Sequence, residues 1–350
     1  MFATLNDEYE SFYSTNGNRG KSVNPISNQS VINPNNISTT VFDFLSEWIR
    51  FKENNIRPKT SQDYYRLLDK YVYPGFIGIY MKDLDTRSMN LFYRNLVDQQ
   101  VGFRTVRYLN SILRVAFKDA ISQGIIPSNP TNGVILPRWT KKEMHALDQN
   151  EVQRFLKIAK DSRFFYVYYL AILTGMRLGE LMGLRWSDID FQNQVISISR
   201  QAQAIKGKGI LFSEPKTRSG IRKIRVQPNT IEALLQQKEK IQQMKTIAGR
   251  KWIENDLVFP STIGTPMASY HLRKDFFRLL SIAGLPRIRF HDLRHTAATL
   301  MINHGVPIIV ISKMLGHSKP SVTLDFYGHC SVAMQDEASK IMDSVMNNNH

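Results

Sequence analysis

The sequence predicts a mainly α protein with a small antiparallel β-sheet, divided into two domains. Three observations predict it. Apolar residues recur at helical spacing over most of the chain, a period of two appears only around Ile196–Ile198 and Ile224–Val226, and an aperiodic stretch with Pro127, Pro130, Gly133 and Pro137 interrupts the pattern. A chain of 350 residues also exceeds the roughly 250 at which single cores stop growing.

Residues 1–38 are rich in Asn and Ser, carry Pro25 and Pro34, and are nearly neutral, which predicts a flexible N-terminal arm. Helical spacing starts behind Thr39 and Thr40 with Val41, Phe42, Leu45, Trp48 and Ile49. Further helices are predicted from about Pro58 to Tyr71, from Arg87 to Asp98 behind the cap Asp85, and from Phe103 to Gln123. These make a helical first domain over 39–126. In its last helix Val106, Leu109, Leu113 and Phe117 lie on one side, and Arg104, Arg107, Arg114 and Lys118 form a basic stripe on another. Such a stripe suits phosphate contact or a solvated face.

Residues 127–146 read as a linker, and the second domain occupies 147–350. Asp148 with Glu151 marks a capping box ahead of Val152, Phe155, Leu156 and Ile158. Phe164 to Thr174 is largely apolar, with a second helical stretch through Trp186. Short strands follow, and the turn-forming run Thr217-Arg218-Ser219-Gly220 predicts a hairpin with Lys216 at its mouth. From Ile231 the patterning is again helical, ending in a tail helix over Val332 to Val345 with an apolar face of Met334, Ala338, Ile341 and Val345.

The formal charge is +16 and the pI about 9.8, which favours a polyanionic partner. Basic residues outnumber acidic ones by 16 to 10 over 39–145 and by 28 to 17 over 146–350. Both domains therefore attract a polyanion, as a clamp on nucleic acid requires. A membrane surface is the rival partner, but no basic amphipathic helix or lipidation motif accompanies the charge. No apolar run approaches the ~20 residues of a span. Met1 to Glu10 has three acidic residues and no basic one, unlike a signal peptide. A cytoplasmic protein is expected. The single cysteine, Cys330, rules out an intrachain disulfide and any multi-cysteine zinc site.

Four clusters carry candidate chemistry. In Thr174-Gly175-Met176-Arg177-Leu178-Gly179-Glu180-Leu181, Arg177 and Glu180 sit three apart and meet on one helical face, as an ion pair or as a carboxylate steadying a phosphate-binding guanidinium. Lys216 is a loop lysine able to move a proton, although most such lysines only keep sheet edges soluble. His291-Asp292-Leu293-Arg294-His295-Thr296 places an acid/base beside a second guanidinium. A zinc site at His291 and His295 would lack both a Glu between them and a third ligand. Last, Leu315-Gly316-His317-Ser318 is followed by Asp325-Phe326-Tyr327, with His317 just beyond a helix end at Gly316 and Ser321 as the cap of a short helix bearing Tyr327. Alone, each cluster also has a plain structural reading.

Together, the order Arg177, Lys216, His291-x-x-Arg294, His317, Tyr327 resembles the active site of the tyrosine recombinases, the phage integrase family, and in particular integrases of phages or integrative elements of low-GC bacteria. The resemblance covers about residues 39–345. It implies a core-binding domain over 39–126 and a catalytic domain from 147. It further implies that Arg177, Arg294 and His317 bind the scissile phosphate, that Lys216 protonates the leaving 5′ oxygen, and that His291 takes the proton of Tyr327, the nucleophile. Glu180 supports Arg177 without reacting. A homo-tetramer on two sites of double-stranded DNA, a tail docking onto a neighbouring protomer, and no cofactor or metal are the family's pattern, with an excisionase or a DNA-bending protein as candidate partners; the apolar face of Val332 to Val345 suits that docking or packing onto its own domain. One departure stands out: residues 1–38 look too short and unpatterned for the additional arm-site DNA-binding domain of many integrases. A non-catalytic DNA-binding protein on the same scaffold, a host chromosome-dimer resolvase and a relaxing topoisomerase are the alternatives.

Overall fold

A computed structural model describes residues 39–138, 145–205, 207–215, 217–319, 321 and 339–340. The described residues form two compact units, one from residues 39–50 together with Leu67–Pro137, the other from Phe51–Arg66 together with the described residues from Arg138 onward. The predicted arm, Lys216, Tyr327, Cys330 and nearly all of the tail lie outside the described residues.

In the first unit, α1 (Val41–Glu53) begins where the predicted threonine cap sits. Thr40 Oγ1 accepts from the Asp43 amide at 3.1 Å and donates to Asp43 Oδ2 at 2.6 Å. Val41, Phe44, Leu45, Trp48 and Ile49 are buried. The next helix, α2 (Pro58–Leu67), belongs up to Arg66 to the second unit; it stops short of the expected Tyr71 and passes into a π turn over Leu68–Val72, back in the first. Pro74 has no N–H to return to the Lys70 carbonyl, so a regular α ladder cannot continue here. The wider turn also lets Leu67, Leu68 and Val72 all bury.

Helix α3 (Thr86–Asp98) opens on the Asp85 cap, whose carboxylate accepts from the Ser88 amide at 2.7 Å. Helix α4 (Phe103–Ser122) buries Val106, Leu109, Ile112, Leu113, Ala116 and Phe117, and turns Arg104, Arg107, Arg114 and Lys118 outward. Its Asp119 accepts from Trp48 Nε1 at 2.8 Å, tying α1 to α4. The expected linker, 127–146, is in part packed structure. Asn129 Nδ2 donates to the Arg114 carbonyl at 3.0 Å, and Asn129 Oδ1 accepts from Thr131, so this stretch is pinned to α4. Side-chain hydrogen bonds substitute there for the periodicity that the sequence lacks.

The second unit is α-rich. Besides α2, its described helices are α5 (Gln149–Ala159), α6 (Phe165–Thr174), α7 (Leu178–Gly183), α8 (Pro228–Ala248), α9 (Ser269–Ile282), α10 (Asp292–Asn303) and α11 (Ile308–Leu315). Asp148 and Glu151 form the predicted capping box of α5. Phe155, Tyr168, Phe276 and Phe290 pack edge-on or tilted with ring centres 5.4–6.2 Å apart, joining α5, α6 and α9 to the start of α10.

Among the described residues five strands form two sheets. β1 (Ile189–Asp190), β2 (Val195–Ile198) and β5 (Arg222–Arg225) make an antiparallel sheet in that order, while β3 (Gln201–Ile205) and β4 (Gly209–Ser213) pair separately. Ile196 opposes Ile224 in the first. The predicted hairpin at Thr217–Gly220 is therefore corrected. That run is a 3-10 turn over Arg218–Gly220, crossing from one sheet to the other, and the consecutive strands that pair are β1 with β2 and β3 with β4, where Ile205 opposes Gly209. Its turn-forming composition gave no hint of which strands it joins, because pairing is decided between distant segments.

Candidate active site

The site is built where α6, α7, β5, α10 and α11 meet in the second unit. Helix α6 ends at Gly175, which is left-handed at φ 62°. That conformation favours glycine, and a Cβ there would also collide with the Leu315 side chain. The Thr-Gly-x-Arg and Leu-Gly-His clusters thus touch through Gly175 and Leu315. The chain then turns so that Arg177 is the residue capping α7 rather than a residue within it. Its amide donates to Glu180 Oε2 at 2.9 Å and its Nη1 to Glu180 Oε1 at 2.8 Å, while Nη2 reaches the Gly316 carbonyl at 3.2 Å.

Glu180 is 2% exposed and receives a second guanidinium. Arg222, on β5, donates Nη1 to Oε1 at 3.1 Å and Nη2 to Oε2 at 2.9 Å. Burial pushes the Glu180 carboxyl up, but the hydrogen bonds and charges of Arg222 and Arg177 outweigh it and hold the group ionised. Arg222 was absent from the sequence candidates. The signal was present in the alternation of β5, which puts Arg222 on the inward face with the buried Ile224, between outward Lys223 and the turn. An arginine on the inward face of a strand demands a partner, but the sequence did not say which.

Arg294 is 4% exposed on α10. Its Nη1 donates to the Gly175 carbonyl at 2.8 Å, and its Nη2 is buried with no partner among the described residues. Burial, then the charge of Arg177, depress Arg294 to about 9, still protonated at neutral pH. His291 precedes α10, and its pKa is lowered by burial and then by Arg294 and Arg177. His317 follows Gly316, left-handed at φ 71°, and is pushed down to about 4 by burial and then by Arg294, Arg177 and Arg222. His295 meets the His291 ring edge-on at 5.5 Å and is likewise pushed down to about 4, by burial first.

The structure thus gathers Arg177, Glu180, His291, Arg294 and His317, and adds Arg222. Two guanidinium groups, of Arg177 and Arg222, bind the one carboxylate, and Arg294 adds a third within electrostatic reach, leaving an excess of positive charge in a poorly solvated place. Arg177 and His291 also line a cleft of about 840 Å³ with Gln201, Arg273 and Arg289. Lys216 and Tyr327 lie outside the described residues. Arg104, Arg107, Arg114 and Lys118 are on the exposed face of α4, in the first unit. Among the described residues no group of His, Cys, Asp or Glu is arranged to hold a metal ion, and no helix is long and apolar enough to cross a membrane.

A helical unit followed by an α-rich unit with a small sheet and an arginine-rich pocket is the architecture of the enzymes that recombine DNA at specific sites through a tyrosine. The chain belongs to the phage integrase family: residues 145–334 match that family and residues 40–135 match the phage integrase SAM-like domain. Among its relatives, a tyrosine recombinase XerC-like protein of Caldanaerobacter subterraneus subsp. tengcongensis is 28% identical over 78% of this chain and 77% of its own length. The ICEBs1 integrase of Bacillus subtilis is 26% identical, covering 86% of this chain and 82% of that one. In fold, the chain is similar to the Tn1549 transposon integrase in complex with a circular intermediate DNA, with a TM-score of 0.75 and 22% identity over 88% of this chain and all of that one. It is also similar to a lambda integrase tetramer bound to a Holliday junction, with a TM-score of 0.61 and 20% identity over 92% and 85%.

Proposed function

We propose that this recombinase cuts and rejoins the DNA ends of a mobile element, with Tyr327 as nucleophile and Arg177, Arg294 and His317 holding the scissile phosphate. The observation that carries this reading is the buried Nη2 of Arg294, which has no partner among the described residues, in a pocket with surplus positive charge. Leaving a charged donor unsatisfied is costly. A backbone phosphodiester would satisfy it, and the extra negative charge that develops on phosphorus in the pentavalent transition state would satisfy it further.

In this mechanism the phenolate of Tyr327 attacks phosphorus and the 5′ oxygen departs, forming a 3′-phosphotyrosyl ester and a 5′ hydroxyl. Lys216 supplies the proton to the leaving oxygen. His291, held neutral at pH 7, accepts the proton of Tyr327. A bound phosphate offsets the arginine charges that depress this imidazole, so it becomes a better base when substrate is in place. His317, also neutral, donates an N–H. A 5′ hydroxyl from a second strand then attacks the ester, and because the ester retains the bond energy, rejoining needs no ATP.

The basic stripe Arg104, Arg107, Arg114 and Lys118 is assigned to the DNA backbone, and the working assembly to four protomers on two DNA sites. Tyr327→Phe tests the central step. Incubated with a nicked suicide substrate and run on a denaturing gel, it should bind DNA and give no covalent adduct. An adduct from the Phe variant would mean that another residue attacks. Wild-type protein that binds DNA without ever forming one would favour a non-catalytic DNA-binding protein.

A further inference from the structure

Arg222, on β5, reaches two of the other elements that carry the site, α7 and α11. Beyond its two bonds to Glu180, its Nε donates to the Met314 carbonyl at 2.6 Å, near the end of α11, and its Nη1 also meets the Gly220 carbonyl at 3.1 Å. The side chain is 6% exposed. Gly316 packs directly on it, since a Cβ there would lie 3.0 Å from Arg222 Cδ and Nη1. Arg222 thus fixes two groups that themselves hold Arg177, namely the Glu180 carboxylate and the Gly316 turn. The same turn presents His317.

We infer that Arg222 is a positioning residue for strand cleavage, acting by locking the Glu180 carboxylate and the α11–Gly316 turn so that Arg177 and His317 address one phosphate. The inference rests on the recombinase reading above. The planar fork matters as much as the charge. Two parallel bonds to one carboxylate, one to the Met314 carbonyl and one to the Gly220 carbonyl define three directions, which a lysine ammonium on a flexible stem does not reproduce. Packed beneath Glu180 and Gly316, Arg222 does not itself contact DNA in this role. Its loss therefore appears in the chemical step, where a small displacement of a phosphate ligand is enough to slow reaction severely.

The test is a double-mutant cycle on the full chain with Arg222→Gln, Glu180→Gln and the pair together, and with Arg222→Lys beside them. Single-turnover adduct formation on the suicide substrate and DNA dissociation constants are measured well below each variant's melting temperature. The expected result is DNA binding within about twofold of wild type, with adduct formation slowed about 10- to 100-fold in Arg222→Gln and only partly restored in Arg222→Lys. The paired variant, a neutral amide pair that removes the buried charges together, should be about as slow as the slower single variant, because both residues act through one contact. Wild-type rates in Arg222→Gln, or losses that multiply in the paired variant, would overturn the inference. So would full activity in Arg222→Lys. Absence of any adduct from the unaltered protein would instead remove the recombinase reading, and this inference with it.

Discussion

Arg294 and Gly175 are joined by one hydrogen bond, 2.8 Å from Nη1 to the glycine carbonyl, and the other terminal nitrogen of this buried guanidinium has no partner among the described residues. The arrangement trades stability for function, since a group that would be better solvated is kept ready for an anion. Arg294→Met should therefore leave the melting temperature unchanged or raise it, while adduct formation falls by about 10²- to 10³-fold, as for removal of one transition-state donor. Inorganic phosphate should stabilise the wild type more than the variant. A variant that melts far lower, with phosphate stabilising both proteins equally, would assign Arg294 to packing alone.

Acid should unfold the second unit through its histidines. His295 and His317 are held at about 4 in the folded chain against 6.5 for the free side chain. Between those values the unfolded chain binds protons that the folded chain refuses, so stability falls as pH drops from about 6.5 toward 4. Melting curves across this window should show the decline, and His295→Gln, which cannot take up the proton, should flatten it. An equal slope in that variant would place the acid sensitivity elsewhere.

Gly316 should tolerate no side chain. At φ 71° an L residue is strained, and a Cβ would approach the Ser219 carbonyl at 2.7 Å and Arg222 at 3.0 Å. Gly316→Ala should cost about 1–3 kcal/mol, from the conformation alone. Calorimetry should register this as a melting temperature several degrees lower, with cleavage lost even where the chain is folded, since both His317 and the carbonyl that holds Arg177 move. Wild-type cleavage in that variant would show that the turn adjusts freely.

The α4 stripe is tested by salt. Arg107→Ala removes one exposed cation and should reduce the slope of log affinity against log salt concentration by about one, with no change in sequence preference. A slope equal to that of the wild type would make the stripe a solvated face.

Much of the architecture was readable because its causes are local. Threonine and aspartate caps start α1, α3 and α5 where the sequence places them, since a cap needs only a side chain and an amide two or three residues on. The π turn at Leu68–Val72 was less legible, because its cause combines Pro74 with the burial of three neighbouring side chains. The strand order was not legible at all, since β2 passes over β3 and β4 to pair with β5, and nothing near Thr217–Gly220 encodes that choice.

Residue types and their spacing determined by themselves which side chains were available for phosphate chemistry, from Arg177 and Glu180 to His291, Arg294 and His317. Only the tertiary structure decided that Arg222 joins them and that Arg294 keeps a nitrogen with no partner among the described residues. Both depend on segments more than 40 residues apart in sequence, Glu180 with Arg222 and Gly175 with Arg294, being brought within hydrogen-bonding distance in a place from which water is largely excluded. Local sequence carries no record of such a meeting, because its energy exists only once the intervening core has packed.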